Sequence, residues 1–412
     1  MEEALDVHSP VVFDESVTHY EIHAHQPYTS SGFANSDEIR ISIQHQDLCV
    51  LPARSSLHIC GRLSKADGNA VTATQLVNNA ILHLFEEIRY EINAIEIDRS
   101  KNVGLSSLMK GYASFSPSQT AMLENSGWLD VAEAQQLDNA GGYFDVCIPL
   151  AMILGFAEDY RKIVINAKHE LILTRSRHDI NAILQTAIEN GAFENYKIEI
   201  TRIKWLMPYV MLSDKRKIQL LSRIDKDIVM SFRIWELFEY PALPSTTKHV
   251  WTVKTSNQLE KPRFVILAFQ TNRKATRTAN ASRFDHCGIT NVKLFLNSQC
   301  YPYGNLNLDV QRNQYAQLYE MYANFQSAYY NEKDAERLLT KGDFIAHAPI
   351  IVIDCSKQND TLKLAPVDVR IELEADSNFP AGTTAYCLIL HDRIVDYNPI
   401  SATLGNVCSG DD

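Results

Sequence analysis

Tyr90-Glu91-Ile92-Asn93 and Leu294-Phe295-Leu296-Asn297 are two short strand-like stretches, each closing on an asparagine, that stand roughly 200 residues apart. Working outward from them, the same order of element types recurs. Upstream of the first lies an apolar strand at Ser55–Leu63, and within Asn79–Ile97 the strand itself. Downstream come a helix-like stretch after Lys101, a strand with an embedded proline at Phe144–Ile153, and long strands at Ile163–Thr174 and Ile198–Leu212. The second round has counterparts at Arg263–Gln270, Phe284–Tyr301, Gln311–Tyr330, Phe344–Cys355, Leu362–Leu373 and Thr383–Tyr397. Ile148-Pro149-Leu150 is set against Ala348-Pro349-Ile350. What repeats is pattern, with little identity.

Local signals fill in the rest. Glu38–Gln44 alternates Ile39, Ile41 and Ile43 with polar residues, the period of a half-buried strand, and the first sheet is expected to start there. Asp67-Gly68 carries turn chemistry. Ala80–Phe85, Asp179–Glu189 and Ser213–Leu221 have helical spacing, and Gln311–Tyr330 places Tyr315, Leu318, Tyr319 and Tyr322 on one side of a helix. The reading is all-β: two antiparallel sandwiches with short helical excursions, an arm over 1–18, a first unit over 19–222 and a second over 223–412. The junction is placed near Ser222, ahead of a strand at Ile228–Phe238.

Composition bounds the function. At 412 residues and 45% hydrophobic the chain can build two cores of ordinary size. No apolar run reaches the roughly 18 residues of a membrane helix, and Met1-Glu2-Glu3-Ala4-Leu5-Asp6 lacks a basic start and an apolar signal core. Synthesis and assembly inside a cell are expected, with the eight cysteines, which show no CxxC pair, as reduced packing residues. Without a signal peptide the sequons at Asn280 and Asn359 carry no weight.

A net charge of -11 argues against a dedicated nucleic-acid binder. Lys215-Arg216-Lys217 and Arg273–Arg277 read as solvated surface rather than a phosphate track. His19, His23 and His25 form the compact histidine group, and their spacing resembles the His-x-His of cupins. Gln26-Pro27-Tyr28-Thr29-Ser30-Ser31 follows instead of that motif's glutamate, so the segment reads as an exposed pre-strand stretch. No nucleophile elbow, zinc helix, phosphate loop or dinucleotide glycine motif occurs. Glu86-Glu87 and Glu158-Asp159 are expected on solvated turns, and Trp205 and Trp251, in apolar strands, in the core. The expectation is therefore no enzyme: no catalytic residues, no cofactor and no metal.

The whole layout resembles the double jelly-roll major capsid proteins, in particular the Polinton/Maverick and adenovirus-like invertebrate group. Leu51-Pro52 leading into Leu57–Gly68, Asn78–Phe85, Ile88–Asn93, Cys147–Leu150 with Gly155-Phe156, Trp205–Pro208, Lys261-Pro262-Arg263 and Phe284–Cys287 through Leu296-Asn297 carry the resemblance, which spans Tyr20–Asp396. It implies two eight-stranded jelly rolls in one subunit, a homotrimer forming a pseudo-hexameric capsomer, and an icosahedral shell. The implied partners are neighbouring capsomers and minor capsid or penton proteins, with no sequence-specific nucleic-acid binding and no membrane span. The implied location is the virion, after synthesis in the host cell. The alternative is a host-encoded or lectin-like jelly-roll binding protein that forms no shell. The Tyr-rich Gln311–Tyr330 stretch is expected to offer apolar surface to the trimer.

Overall fold

Alternation of buried and exposed side chains organises two sets of strands in the computed structural model, which describes residues 17–28, 32–44, 49–129, 137–188, 191–222, 227–253, 262–297, 299–332, 336–357 and 367–406. The first set is β1 (Val17–His25), β2 (Glu38–Gln44), β3 (Ser56–Lys65), β4 (Phe85–Ile92), β5 (Ile95–Lys101), β6 (Tyr143–Pro149), β7 (Lys168–Arg175) and β8 (Tyr196–Leu212). The second is β9 (Ile228–Tyr240), β10 (Lys248–Val253), β11 (Pro262–Thr271), β12 (Ile289–Leu296), β13 (Gln299–Tyr301), β14 (Ile351–Asp354), β15 (Val369–Ala375) and β16 (Thr383–Asn398). Short extra strands, such as Cys49–Val50 on β8 and Thr403–Asn406 on β16, pair at the margins.

The topology of the two sets is the same. The first forms sheets β1-β8-β3-β6 and β2-β7-β4-β5; the second forms β9-β16-β11-β14 and β10-β15-β12-β13, all pairs antiparallel. Each strand of the first set thus has its counterpart eight places later. Two such sheets face to face form a jelly roll, with alternate side chains filling the space between them. In β3, Leu57, Ile59 and Leu63 are buried, and in β11 nearly every residue from Phe264 to Gln270 is.

The two asparagine-ended stretches occupy matching places. Asn93 follows β4 with φ 49° and Asn297 follows β12 with φ 54°, the left-handed region that asparagine tolerates. Each also makes the same pair of bonds to the strand beside it. The Asn93 N–H donates to the Lys168 carbonyl at 2.8 Å, and Asn93 Oδ1 accepts from the Lys168 N–H at 2.8 Å. Asn297 does this with Asp368, at 3.0 and 2.9 Å. The proline match is no such equivalence. Pro149 ends β6, whereas Pro349 precedes β14 and Phe344 lies in a helix, Lys341–His347.

Three further expectations change. His19–His25 is strand, not a pre-strand stretch, and β1 takes in Val17 and Thr18 as well. Its pattern is weak because the residues on one face are His19, Glu21, His23 and His25, which a core strand would not carry. Asp179–Glu189 is not a helix: Ile180–Ala182 makes one tight turn and Ile183–Gln185 pairs with Thr74–Leu76. Gln185 Nε2 donates to Thr74 Oγ1 and the Glu194 carbonyl, bonds that hold the chain extended there. Cys147 is half-buried on the outward face of β6, whereas Cys387 is fully buried. Met1–Ser16, Asn359–Thr361, Lys261 and Cys408 lie outside the described residues.

The helices lie in the connections between strands. They are α1 (Ala80–His83), α2 (Val103–Ser114), α3 (Thr120–Asn125), α4 (Gly155–Asp159), α5 (Asp214–Leu221), α6 (Ala316–Ala323), α7 (Phe325–Tyr330) and α8 (Lys341–His347). All of α2 is buried. A Cβ on its Gly104 would come within 2.2 Å of the His83 ring, so only glycine lets α1 and α2 approach this closely.

Candidate functional site

A fully buried α2 should carry no charge, and it carries none except at one residue. Lys110, 3% exposed, brings an ammonium into the core between the sandwiches. Burial pulls its proton affinity below that of an ordinary lysine, against the pull of Glu158. Its Nζ donates to Glu158 Oε1 and to Tyr330 Oη, both at 2.9 Å. The rings of Tyr329, Trp235 and Tyr330 surround it at 4.6, 4.9 and 5.3 Å from Nζ. Glu158 is satisfied in turn, accepting from Tyr330 Oη at 2.5 Å and Tyr329 Oη at 3.0 Å.

The neighbouring carboxylate carries a second cross-link. Arg233, on β9, reaches Asp159 through Nε and Nη2, both at 2.7 Å, and its backbone N–H donates to Asp159 Oδ2 at 2.9 Å. Its guanidinium lies 3.5 Å from the Tyr329 ring centroid. A planar fork on a carboxylate and over an aromatic face is the arrangement arginine suits best. The cluster joins the halves: Lys110, Glu158 and Asp159 come from the first, Arg233, Trp235, Tyr329 and Tyr330 from the second. Aromatic packing continues it, with Tyr90, Phe156 and Phe232 in successive ring contacts of 5.2 and 5.0 Å.

This corrects two sequence expectations. Glu158-Asp159 is not on a solvated turn, because each acid meets a cation at the joint, Lys110 buried and Arg233 half-buried. The Tyr-rich stretch does not reserve its apolar face for another subunit: Tyr315, Leu318, Tyr322, Phe325 and Tyr329 are buried within the chain. Lys110 belongs to no sequence motif, and a single lysine in an otherwise uncharged Val103–Ser114 is the signal that marks it. Of the basic stretches, Lys215-Arg216-Lys217 is exposed on α5. Arg273 is paired with Asp285 at 2.6 Å and Lys274 with Glu239 at 2.5 Å, so neither is set out for phosphate. Trp205 and Trp251 are buried. His23 lies on Tyr209 with ring centroids 4.3 Å apart, and Glu21 accepts from His23 at 2.6 Å and His19 at 3.1 Å.

Equivalent edges of the two sandwiches are treated differently. The open edge of β9 is covered by α4 of the first sandwich. A Cβ on Gly155 would fall 1.9 Å from the Arg233 carbonyl, and the Arg233 N–H is taken by Asp159. β1, its counterpart, pairs with β8 on one side and with no strand on the other among the described residues. Its outward residues are Tyr20 and Ile22, 46% and 58% exposed, beside Leu206, Pro208 and Val210 of β8. On the far sandwich Tyr303, just after β13, is 95% exposed.

No helix among the described residues is long and apolar enough to cross a membrane. A sequence comparison with curated proteins gives no match. Among solved structures the fold is similar to the Faustovirus major capsid protein, with TM-score 0.61, 9% identity, and 96% of this chain and 94% of that one covered. It is also similar to the mavirus major capsid protein, with TM-score 0.58, 12% identity and 98% and 92% covered. The Sputnik virophage structure gives TM-score 0.58, 10% identity and 100% and 93% covered. Identities this low speak for the fold, and the fold they share is the paired sandwich described above. The sequence profile of the double jelly roll-like domain matches residues 74–395, from the first sandwich to the last long strand of the second, and the chain belongs to that family.

Proposed function

We propose that this chain is a major capsid protein, a non-enzymatic subunit whose trimers form pseudo-hexameric capsomers of an icosahedral virion shell. The proteins it is similar to in fold carry that name. The observation that carries the reading is the unequal treatment of matching edges. Within one chain the first sandwich, through α4 and β5, covers β9 of the second. Repeating that contact between chains sets the second sandwich, at β13 and Tyr303, against β1 of the next copy. Such a head-to-tail contact closes into a ring when the rotation permits. Three chains of two sandwiches each then present six similar sides, and the exposed Tyr20 and Ile22 become interface. In this reading the units are 19–222 and 223–412, and the partners are neighbouring capsomers with minor capsid or penton proteins. The protein is made in the host cell and resides in the virion.

The test is the mass of the purified full-length chain by light scattering, with negative-stain microscopy. A particle of three 46.6 kDa chains with pseudo-six-fold outline is expected. Ile22→Asp and Tyr303→Ala should each weaken it by at least about tenfold in dissociation constant. A monomer stable at micromolar concentration would refute the reading and favour a binding protein that forms no shell.

A further inference from the structure

The strand β3 carries His58 and Cys60 two residues apart, so both project from its outward face. β6 runs beside it with Asp145 opposite Cys60 and Cys147 opposite His58. His58 Nε2 lies 2.7 Å from Asp145 Oδ1, and Cys60 Sγ lies 3.4 Å from each of them. Both neighbours of His58 therefore meet the same ring nitrogen. A nucleophile relay needs the thiol at one imidazole nitrogen and the carboxylate at the other. Three donors aimed at one point are instead the makings of a metal site.

We propose that His58, Cys60 and Asp145 bind one thiophilic divalent cation, zinc by the chemistry of the set. Imidazole nitrogen, thiolate sulfur and carboxylate oxygen are all zinc donors, and bonds of about 2.0 to 2.3 Å at tetrahedral angles place such donors roughly 3.3 to 3.6 Å apart. The two separations to sulfur already match. The His58–Asp145 hydrogen bond must open by about 0.6 Å to reach that range, and Asp145, whose side chain is 70% exposed, is free to give. Without metal, the Cys60 thiol donates to Asp145. Binding breaks the S–H bond, forms the sulfur–metal bond and releases the proton to solvent, so affinity falls as pH falls.

The surroundings choose the ion. β8, on the other side of β3, sets Arg202 opposite Cys60 and Lys204 opposite His58. Burial and the Asp145 carboxylate hold the Cys60 proton more tightly than usual, and these two cations only partly offset that; they oppose any ion held by charge alone, so magnesium and calcium are disfavoured and an ion that bonds sulfur is selected. The fourth position faces away from the sheet, open to water or to a side chain of another copy. Because β6 is the edge strand of its sheet, the ion would clamp that edge to its neighbour.

The test uses full-length protein stripped with a chelator and titrated with Co²⁺. One equivalent should produce a thiolate-to-cobalt band in the near ultraviolet with tetrahedral bands in the visible. Zn²⁺ should abolish these bands and raise the melting temperature; millimolar Mg²⁺ should do neither. Cys60→Ser should lose the near-ultraviolet band. Asp145→Asn, at an exposed position that leaves the fold intact, should weaken binding at least about tenfold. Cys147→Ser and the pair His19→Ala/His23→Ala should bind as the parent does. Absence of the thiolate band in the parent, its survival in Cys60→Ser, or its loss in Cys147→Ser or the histidine pair would overturn the proposal.

Discussion

Replacing Lys110 by methionine tests the joint between the sandwiches, because the side chain keeps its length and loses its charge. At 2.9 Å and an effective dielectric of about 20, the Lys110–Glu158 attraction is on the order of 6 kcal/mol. Removing each ion from water costs several kcal/mol, so the intact pair adds little net stability. The variant is different: methionine fills the space, while Glu158, 12% exposed, is left as a carboxylate with no cation of its own. Breaking a buried pair from one side costs about 3–5 kcal/mol, or roughly 6–20 °C in melting temperature for a unit near 200 residues. Calorimetry and urea unfolding at pH 7 should show that loss. Lys110→Met/Glu158→Gln should recover at least about half of it. A single variant that loses under about 1 kcal/mol, or a double variant as unstable as the sum of the two singles, would refute this account.

Acid should loosen the molecule through two buried histidines. Burial pushes His83 down to about 4 and His169 down to about 3, and both are neutral in the fold: His83 Nε2 is hydrogen-bonded with Ser282 Oγ across the joint at 3.2 Å, and His169 Nδ1 with Tyr90 Oη at 2.6 Å. The unfolded chain takes up these protons below about pH 6.5, the folded one only near 3–4, so stability is lost as pH falls through that window, by a few kcal/mol per histidine. Denaturant midpoints that stay level from pH 7 to 4.5 would count against this. At the repeated strand end, Asn297→Ala should cost about 2–3 kcal/mol, the left-handed penalty plus the bond to Asp368. Asn297→Gly should cost only about 1 kcal/mol, and Asn93 should behave alike; equal losses for Ala and Gly would show that backbone conformation is not the cause.

Much of the fold is legible in the chain because its determinants are local and occur twice. Period-two burial marks Glu38–Gln44, Ser56–Lys65 and Ile289–Leu296 as strands, and the shared Asn93 and Asn297 mark where each β4-type strand must turn. That repetition is enough to order the elements before any packing is known, and with the resemblance it anticipates the double jelly roll. The failures have a physical reason in common. His19–His25 hides its strand because an edge carries polar side chains on a face a central strand would fill with apolar ones. Asp179–Glu189 has helical spacing but is held extended by partners at Thr74 and Glu194, more than a hundred residues away for one of them. Glu158-Asp159 looks like surface until Lys110 and Arg233 arrive from other elements, and the Tyr-rich stretch looks like interface until the second sandwich covers it. His58 and Cys60 are near in sequence, but only the pairing of β3 with β6 brings in Asp145. Strand period and turn chemistry belong to the chain itself; which charges are buried, and which donors converge, depends on contacts between distant segments that exist only once the sheets have paired.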